Sequence, residues 1–291
     1  MIGTIGEGLY ELGIDEGAVD GPPRGGYGGD AANTAVMAAR LGGGRLCGRV
    51  GDDALGRLLL EFWQRSGVDT RWVAIDGAPT GIYVNERLTA GGCRFHYHRR
   101  GSAGSRLSAD DVDDAFLDGL DALHYTGVTL AVSTSAAAAA RLAARRAREQ
   151  GAVVSFAVNH RPALQPDLRA LAAAARDTDV LFASSEESEL VLGAGGRSAA
   201  SQELVLTLGA DGAIAFAGGE EIRVAAPPVD SVDASGAGDA LAAVYLAERI
   251  AGVPVERALT RAVAAATLSC RSFGAAVSYP EAAELEAVVA P

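Results

Sequence analysis

The stretch DASGAGDALAAVYLAE, residues 233–248, joins a glycine-containing turn to an Ala/Leu-rich run that predicts a helix. Gly236 and Gly238 let backbone N–H groups point into one concavity, and the N-terminal end of the helix adds a positive partial charge. Together these features predict an anion site that needs no lysine. Asp239 falls in the first turn of the helix, where its carboxylate would repel an anion that only binds.

The position of Asp239 has two explanations. In the chemical one, the anion is a phosphoryl group in transit, and the carboxylate accepts the proton of the attacking hydroxyl while the amides stabilise the charge. In the structural one, the glycines form the turn and an acidic residue in the first turn stabilises the helix dipole. The rest of the sequence bears on the choice.

Composition narrows the class of protein. The chain has 291 residues, 49% hydrophobic and 21% charged, which is typical of a globular protein with a large core. No apolar run approaches the ~18 residues of a membrane span, and the first residues lack the basic start of a signal peptide. Cys47, Cys93 and Cys270 are far apart, so we expect reduced thiols and a cytoplasmic location.

The charged residues of the sequence argue against two further classes of protein, those that bind nucleic acid and those with a P-loop. The net charge is −12, which argues against nucleic acid as a partner because phosphate backbones need clustered basic residues. The sequence contains no lysine, so a P-loop nucleotide-binding site is excluded. Any anion site must therefore be made locally positive by amides or by arginine.

Strand-like and helix-like segments alternate along the chain. Short β-rich runs are found at residues 4–14, 122–129, 152–159, 179–184 and 203–209, and Ala/Arg/Leu-rich helical stretches separate them. This alternation predicts a parallel sheet covered by helices on both faces. Ligands of such sheets bind at the carboxyl ends of the strands, which directs attention to the loops there.

One segment interrupts the alternation. Residues 80–100 read as two strands around a turn at 90–92, which predicts a β-hairpin that could act as a lid. Because side chains alternate along a strand, Tyr97 and Arg99 should share one face. His96 and His98 should lie on the other face, and we assign them no metal because no third ligand is apparent.

Two segments resemble the signatures of a known family. GGDAANTAVMAARLG (28–42) and DASGAGDALAAVYLA (233–247) are similar to the N-terminal and C-terminal signatures of the ribokinase-like (PfkB) family of carbohydrate kinases. The resemblance implies one domain over residues 1–291, a three-layer α/β/α sandwich with a mainly parallel central sheet and a small β-hairpin lid. Lid segments are expected at about 8–28 and 80–101, and the Gly/Pro-rich composition before Gly28 predicts that the strands there are trimmed.

Further segments resemble the members of this family that phosphorylate 2-keto-3-deoxygluconate. They are GEGLYEL (6–12), TGIYV (80–84), FHYHRRGSAGS (95–105) and VNHRP (158–162). The resemblance implies transfer of phosphate from ATP, with Mg²⁺, to the terminal hydroxyl of a keto-deoxy sugar acid. It also implies a homo-oligomer, a dimer formed through the lid.

The resemblance implies roles for individual residues. Asp239 would be the catalytic base, and the anion hole would be Gly236, Ala237 and Gly238. The family motif Asn-x-x-Glu appears here as Ser184-x-x-Glu187, with Glu187 acting on Mg²⁺ through water. The substrate would contact Gly29, Asn33, Tyr83, Tyr97, Arg99 and Arg161, and ATP would contact Asn159, Ser184, Thr207, Gly209 and Gly212.

Physical chemistry supports a carboxylated substrate. A carboxylate is best bound by a guanidinium group, and Arg99 and Arg161 would create a positive region in an acidic protein. Each also has a structural explanation, a solvated strand charge for Arg99 and a carbonyl cap for Arg161. Glu187 could be an ordinary helix start, and the role of Glu7 stays open between a sugar contact and a strand end.

Other functions remain as alternatives. A PfkB-type kinase of a neutral sugar, such as a fructokinase or ribokinase, or of a nucleoside would keep the fold and change the substrate. A Rossmann-type oxidoreductase is disfavoured because no Gly-x-Gly-x-x-Gly follows the first strand. A non-catalytic sugar sensor is disfavoured because Asp239 and the Gly-Ala-Gly loop are intact.

Overall fold

The structure is a computed structural model that describes residues 1–18, 21–90, 92–193 and 202–289. The strands are β1 Ile2–Ile5, β2 Leu9–Asp15, β3 Arg24–Gly28, β4 Gly44–Gly51, β5 Asp69–Asp76, β6 Ile82–Arg87, β7 Cys93–His98, β8 Ala122–Thr126, β9 Val153–Ala157, β10 Val180–Ser184, β11 Glu203–Thr207, β12 Ala213–Ala217 and β13 Glu220–Val224. The α-helices are α1 Asp30–Arg40, α2 Ala54–Arg65, α3 Asp114–Leu117, α4 Gly127–Val132, α5 Thr134–Glu149, α6 Leu168–Arg176, α7 Ser185–Leu192, α8 Ala237–Ile250, α9 Val255–Ser269 and α10 Ala282–Val289.

The large sheet has the strand order β13-β12-β11-β10-β9-β8-β1-β4-β5. The strands from β5 to β11 in this order pair in parallel, whereas β12 and β13 pair antiparallel at one edge. Parallel pairing brings the carboxyl ends of β1, β8, β9 and β10 to the same edge of the sheet. The sheet is therefore mainly parallel, as the sequence predicted.

Side chains of the large sheet feed two separate cores, one on each face. Along β10, Val180 and Phe182 belong to the core that α1, α2, α8 and α9 cover, whereas Leu181 and Ala183 belong to the core that α5 and α6 cover. This alternation is the period of two expected of a strand buried on both faces. Two helical layers around one sheet make the predicted three-layer sandwich.

A second sheet of four strands has the order β3-β2-β6-β7. The predicted hairpin is present as the antiparallel pair β6 and β7, and β6 also pairs in parallel with β2. The prediction of trimmed strands before Gly28 is wrong, because β2 and β3 form an antiparallel pair in that segment. Its glycines belong to a strand, since a Cβ at Gly26 would lie 2.5 Å from Glu11 Oε2 and one at Gly28 would lie 2.5 Å from the Tyr83 hydroxyl.

The chain passes from the large sheet to the small one at Gly6-Glu7-Gly8. The sequence reading of residues 4–14 as one strand is therefore wrong, since β1 ends at Ile5 and β2 begins at Leu9 in a different sheet. A Cβ at Gly8 would overlap the Trp63 ring, which explains why the crossing is made with a glycine. In the described residues, no helix is long and apolar enough to span a membrane.

Candidate active site

A cavity of about 910 Å³ opens at the carboxyl ends of the parallel strands. Glu7 reaches it from the end of β1, Asn159 from the end of β9 and Glu187 from the first turn after β10. Another part of the lining comes from the small sheet, with Tyr83 on β6 and Tyr97 on β7. The cavity thus lies between the two sheets, where open α/β sheets bind ligands.

The loop before α8 presents unpaired amides to this cavity. Gly236 is the N-cap of α8 with a φ of 76°, and a Cβ there would lie 2.6 Å from the Tyr279 hydroxyl oxygen. The N–H groups of Gly236, Gly238 and Asp239 donate no hydrogen bond to any part of the chain that the structure describes. Free N–H groups at the start of a long helix can bind phosphate oxygens.

The Asp239 carboxylate is fixed by one side chain. Its Oδ2 accepts a hydrogen bond from Asn33 Nδ2 at 2.8 Å, and its Oδ1 accepts none from the described residues. Burial raises the pKa of Asp239 well above its ordinary value, and the negative charge of Asp30 adds to the increase. The hydrogen bond from Asn33 and the positive charge of Arg161 act in the opposite direction. A carboxylate with a raised pKa is a stronger base when it is ionised.

Asp30 links the start of α1 to the loop after β9. Its Oδ1 accepts the N–H of Ala31 at 2.8 Å, and its Oδ2 accepts a hydrogen bond from Asn159 Nδ2 at 2.9 Å. Asn159 has a φ of 40°, an uncommon conformation for a residue other than glycine. Before Asp30, a Cβ at Gly29 would overlap the carbonyl oxygen of Glu7, so this close approach requires glycine.

Arg99 is buried against an acid rather than free. Its Nη1 donates to Glu7 Oε1, and its guanidinium carbon lies 4.5 Å from the centre of the Tyr97 ring. Burial raises the pKa of Glu7 to about 7, against the opposing charge of Arg99. Tyr97 and Arg99 both line the cavity, and His96 instead lies 3.2 Å from Glu86 Oε2. The predicted division is therefore confirmed for Tyr97 and His96 on β7, and Arg99, one residue beyond the end of the strand, lines the cavity on the side of Tyr97.

Arg161 differs from Arg99 in its surroundings. It is exposed, lines the cavity, and forms no ion pair with the described residues. Glu187 is held on both oxygens, because Oε1 accepts the N–H of His160 at 2.6 Å and Oε2 accepts the N–H of Ser184 at 2.8 Å. The Ser184 hydroxyl accepts the N–H of Glu187 at 3.2 Å, which completes a capping box at the start of α7.

Most of the residues with predicted roles line this one cavity. They are Gly29, Asn33, Tyr83, Tyr97, Arg99, Asn159, Arg161, Ser184, Glu187, Gly236, Gly238 and Asp239. Ala237, Thr207, Gly209 and Gly212 are not among its lining residues. Thr207 lies one strand away, paired in register with Ser184. Lining a common cavity is a matter of position, and the roles of all these residues remain predictions.

Sequence reasoning assigned no role to Asp30 and Asp233 and left that of Glu7 open, and all three line the cavity. Asp233 is the first residue of the stretch DASGAGD, and its carboxylate accepts the N–H of Ser235 at 2.9 Å and of Gly274 at 3.1 Å. Asp30 and Asp233 could have been recognised as site residues from the sequence, because they lie inside the two family signatures. For Glu7 the only local signal was a charged residue between two glycines.

Known proteins with similar sequences agree with this architecture. The model of the pfkB family carbohydrate kinases matches residues 19–282. A 2-dehydro-3-deoxygluconokinase from Thermoproteus tenax is 40% identical over 276 residues, which cover 89% of this chain and 83% of that protein. A 5-dehydro-2-deoxygluconokinase from Geobacillus kaustophilus is 29% identical over 279 residues, covering 89% of this chain and 83% of that protein.

Solved structures agree as well. A sugar kinase from Pyrococcus horikoshii, solved in complex with ATP, superposes with a TM-score of 0.88 at 26% identity, covering 99% of this chain and 97% of that one. Fold and sequence therefore confirm the family that the two signatures predicted. The chain belongs to the pfkB family of carbohydrate kinases.

Proposed function

We propose that this enzyme transfers the γ-phosphoryl group of ATP to the terminal hydroxyl of 2-keto-3-deoxygluconate, also called 2-dehydro-3-deoxygluconate. The observation that carries the proposal is one cavity lined by the Asp239 carboxylate, by the free amides of the loop before α8, and by three arginines that include Arg99 and Arg161. The activity in the name of the Thermoproteus tenax relative supports the same substrate.

Asp239 accepts the proton of the attacking hydroxyl. Its Oδ2 is held by Asn33, which leaves Oδ1 for the substrate. Charge develops on the transferring group as the hydroxyl attacks, and the N–H groups of Gly236 and Gly238 stabilise it. Base and amides belong to one loop and helix start, so their separation is fixed by local geometry.

The residues fit a phosphate-bound Mg²⁺ better than a metal held by protein alone. No group of three or more His, Cys, Asp or Glu side chains within the described ranges is arranged to hold a metal ion. Mg²⁺ commonly keeps several waters and binds substrate phosphates with one or two carboxylates. Glu187, with both oxygens occupied by N–H groups, would act on it through water. When bound with ATP, Mg²⁺ neutralises charge on the phosphates.

Arg161 provides the cation for the substrate carboxylate, together with the face of Arg99 that Glu7 does not occupy. A sugar acid is anionic, and the cavity also contains Asp30, Asp233 and Asp239. Guanidinium groups offset this negative charge and recognise a carboxylate through paired hydrogen bonds. A neutral sugar would need no such cation, which is why the acid is the favoured substrate.

The small sheet is proposed to close over the substrate and to form a homodimer interface. β3 and β7 are the edge strands of that sheet, and Ile14 on β2, the neighbour of β3, is exposed. An exposed sheet edge with apolar neighbours favours pairing with a second copy. Sedimentation of the purified protein at micromolar concentration tests this, and a monomer at all concentrations would contradict the dimer.

The proposed function is tested by ATP-dependent ADP release. Acceptors are 2-keto-3-deoxygluconate, 5-keto-2-deoxygluconate, fructose, ribose and adenosine, each with Asp239→Asn protein as the blank for contaminating kinases. We expect the highest kcat/KM with 2-keto-3-deoxygluconate. Preference for fructose, ribose or adenosine would leave the enzyme a kinase of this family and would remove the carboxylate-binding role of both arginines.

A further inference from the structure

The position of Glu7 is tightly constrained by the backbone and the close packing around it. It lies between β1 and β2, where the chain leaves the large sheet, and only 2% of it is exposed. A Cβ at Gly6 would lie 2.7 Å from Ala31 Cβ, and a Cβ at Gly104 would lie 2.7 Å from Glu7 Cβ. Close packing on both sides fixes the direction in which the carboxylate points.

The contact between Glu7 and Arg99 occupies one side of the Arg99 guanidinium group. Nη1 donates to Glu7 Oε1, and the guanidinium lies over the Tyr97 ring, so its position and plane are both set. Nη2 donates no hydrogen bond to any residue in the described ranges, and Arg99 lines the cavity. One edge of the fork is therefore held by protein and the other is free for a ligand.

Glu7 lines the cavity, but the side-chain contact that the structure describes for it is with Arg99. Its Oε2 is buried and has no hydrogen-bond partner among the described residues. Arg99 is 7% exposed, so it could adopt other rotamers only by displacing its neighbours or losing its acid partner. A long side chain such as arginine loses considerable rotamer entropy when it is ordered, and a fixed acceptor pre-organises it before substrate binds.

We propose that Glu7 is the positioning residue for Arg99, and that the Glu7–Arg99 pair sets the selectivity of the enzyme for a carboxylated substrate. This inference rests on the proposed function, in which Arg99 contacts the substrate carboxylate. The effect of Glu7 comes from the reach of its side chain rather than from its charge. Burial raises the pKa of Glu7 to about 7, so the ionised and the neutral form of its carboxyl group are both populated near neutral pH.

The experiment compares Glu7→Ala, Glu7→Gln, Glu7→Asp, Arg99→Ala and the double variant Glu7→Ala/Arg99→Ala. The matched control is Glu248→Ala, which breaks another partly buried Glu–Arg pair, with Arg261, at residues that do not line the cavity. For each protein, KM for 2-keto-3-deoxygluconate, KM for ATP and kcat are measured. Loss of a charged hydrogen bond should raise the KM of Arg99→Ala for 2-keto-3-deoxygluconate by about 10- to 150-fold.

We expect Glu7→Ala to raise the sugar-acid KM by about tenfold or more, with little change in kcat or in the ATP KM. Glu7→Gln should restore the wild-type KM, because it keeps the acceptor oxygen at the same reach. Glu7→Asp should resemble Glu7→Ala, since its carboxylate is one methylene too short. In the Arg99→Ala background, Glu7→Ala should add nothing, as two residues acting through one contact are not additive.

Two negative results have different meanings. If Arg99→Ala leaves the sugar-acid KM unchanged, the carboxylate site in the proposed function is wrong. If Arg99→Ala raises that KM but Glu7→Ala does not, only the positioning role of Glu7 is wrong. If Glu7→Ala fails to fold, Glu7→Gln and Glu7→Asp decide the question. A wild-type sugar-acid KM in Glu7→Asp together with a raised sugar-acid KM in Glu7→Gln would overturn the inference.

Discussion

At the scale of single residues, Asp239 carries the sharpest prediction. Asp239→Asn keeps an oxygen that can accept from Asn33 Nδ2 but removes the proton acceptor. General base catalysis contributes about 10²- to 10⁴-fold, so we expect kcat to fall by that factor. ATP affinity, measured by titration calorimetry, should change little, because the amides before α8 are backbone groups.

The control for this variant is Asp110→Asn, an exposed acid that does not line the cavity. It should leave kcat unchanged within experimental scatter, since surface substitutions seldom alter a distant site. Near-normal kcat in Asp239→Asn would show that another group accepts the proton.

The pH dependence of kcat/KM tests the electrostatics around the same residue. The base works when ionised, so activity should fall as pH drops through the pKa of Asp239, which burial raises. Asp30 raises this pKa further and Arg161 lowers it. Asp30→Asn should therefore move the acid limb of the profile to lower pH, and Arg161→Gln should move it to higher pH.

The informative result is a shift of the acid limb in opposite directions in Asp30→Asn and Arg161→Gln. A general loss of structure would not move the two profiles in opposite directions. The position of the limb on the pH axis is compared, rather than the height of the profile, since Arg161→Gln also weakens substrate binding. Shifts in the same direction would contradict the assignment of this limb to Asp239.

Individual residues show what sequence reasoning can reach. Alternation along one strand was enough to place Tyr97 and Arg99 on the same side, because it depends only on local geometry. The partner of Arg99 was out of reach, since Glu7 is 92 positions away and belongs to the other end of the N-terminal half. A pair that forms only in the folded chain leaves no pattern in one sequence.

At the scale of elements, Asn85 connects the small sheet to the loop before α8. Its Nδ2 donates to Glu11 Oε1 at 2.9 Å on β2 and to Asp233 Oδ2 at 3.3 Å. All three residues are buried, at 0% exposure for Glu11, 1% for Asn85 and 4% for Asp233. One amide therefore bridges two carboxylates and ties the small sheet to the loop that carries Asp239.

Asn85→Ala should loosen this connection. It removes the Asn85 donor from the buried Glu11 Oε1 and one of the two donors to Asp233 Oδ2, which costs about 1–3 kcal/mol of folding free energy. We expect a lower free energy of unfolding in urea together with a lower kcat, because the start of the loop loses one of its fixed contacts. A normal kcat in a destabilised Asn85→Ala protein would show that the bridge serves stability alone.

The matched control lies on the same strand. Glu86→Ala removes a partly exposed side chain from β6 that pairs with the exposed Arg94 at 3.2 Å and lies 3.2 Å from His96 Nε2. Exposed ion pairs contribute about 0–1 kcal/mol, so its stability and kcat should remain close to those of the wild type.

Elements also show where sequence patterns mislead. The βα alternation predicted the large sheet because each strand and each helix carries its own periodicity. The pairing of β2 with β3 was missed because Gly26 and Gly28, which usually indicate a loop, are here required by the side chains of Glu11 and Tyr83 that pack against them. Composition alone cannot distinguish a glycine in a turn from one beneath a neighbouring side chain.

At the scale of the whole molecule, burial of acids makes stability depend on pH. Burial raises the pKa of Glu11 from its ordinary 4.5 to about 6, and the charge of Asp233 adds to the increase. Between these two values the folded protein binds more protons than the unfolded one, so stability falls as pH rises. The difference corresponds to about 2 kcal/mol lost between pH values of about 4.5 and 6, and it remains lost above that range.

Glu11→Gln isolates this contribution, because it keeps an oxygen for Asn85 and cannot ionise. Relative to wild type, the variant should gain up to about 2 kcal/mol in urea unfolding free energy as pH rises from about 4.5 to 7. Glu284 offers a control of opposite sign, since the N–H of Glu281 and the charge of Arg271 lower its pKa. A lowered pKa stabilises the fold above the unfolded value, so Glu284→Gln should lose stability relative to wild type as pH rises. A Glu11→Gln protein whose difference from wild type is independent of pH would show that the pKa of Glu11 is the same in the folded and the unfolded protein, so that burial between the small sheet and the loop before α8 does not perturb this acid.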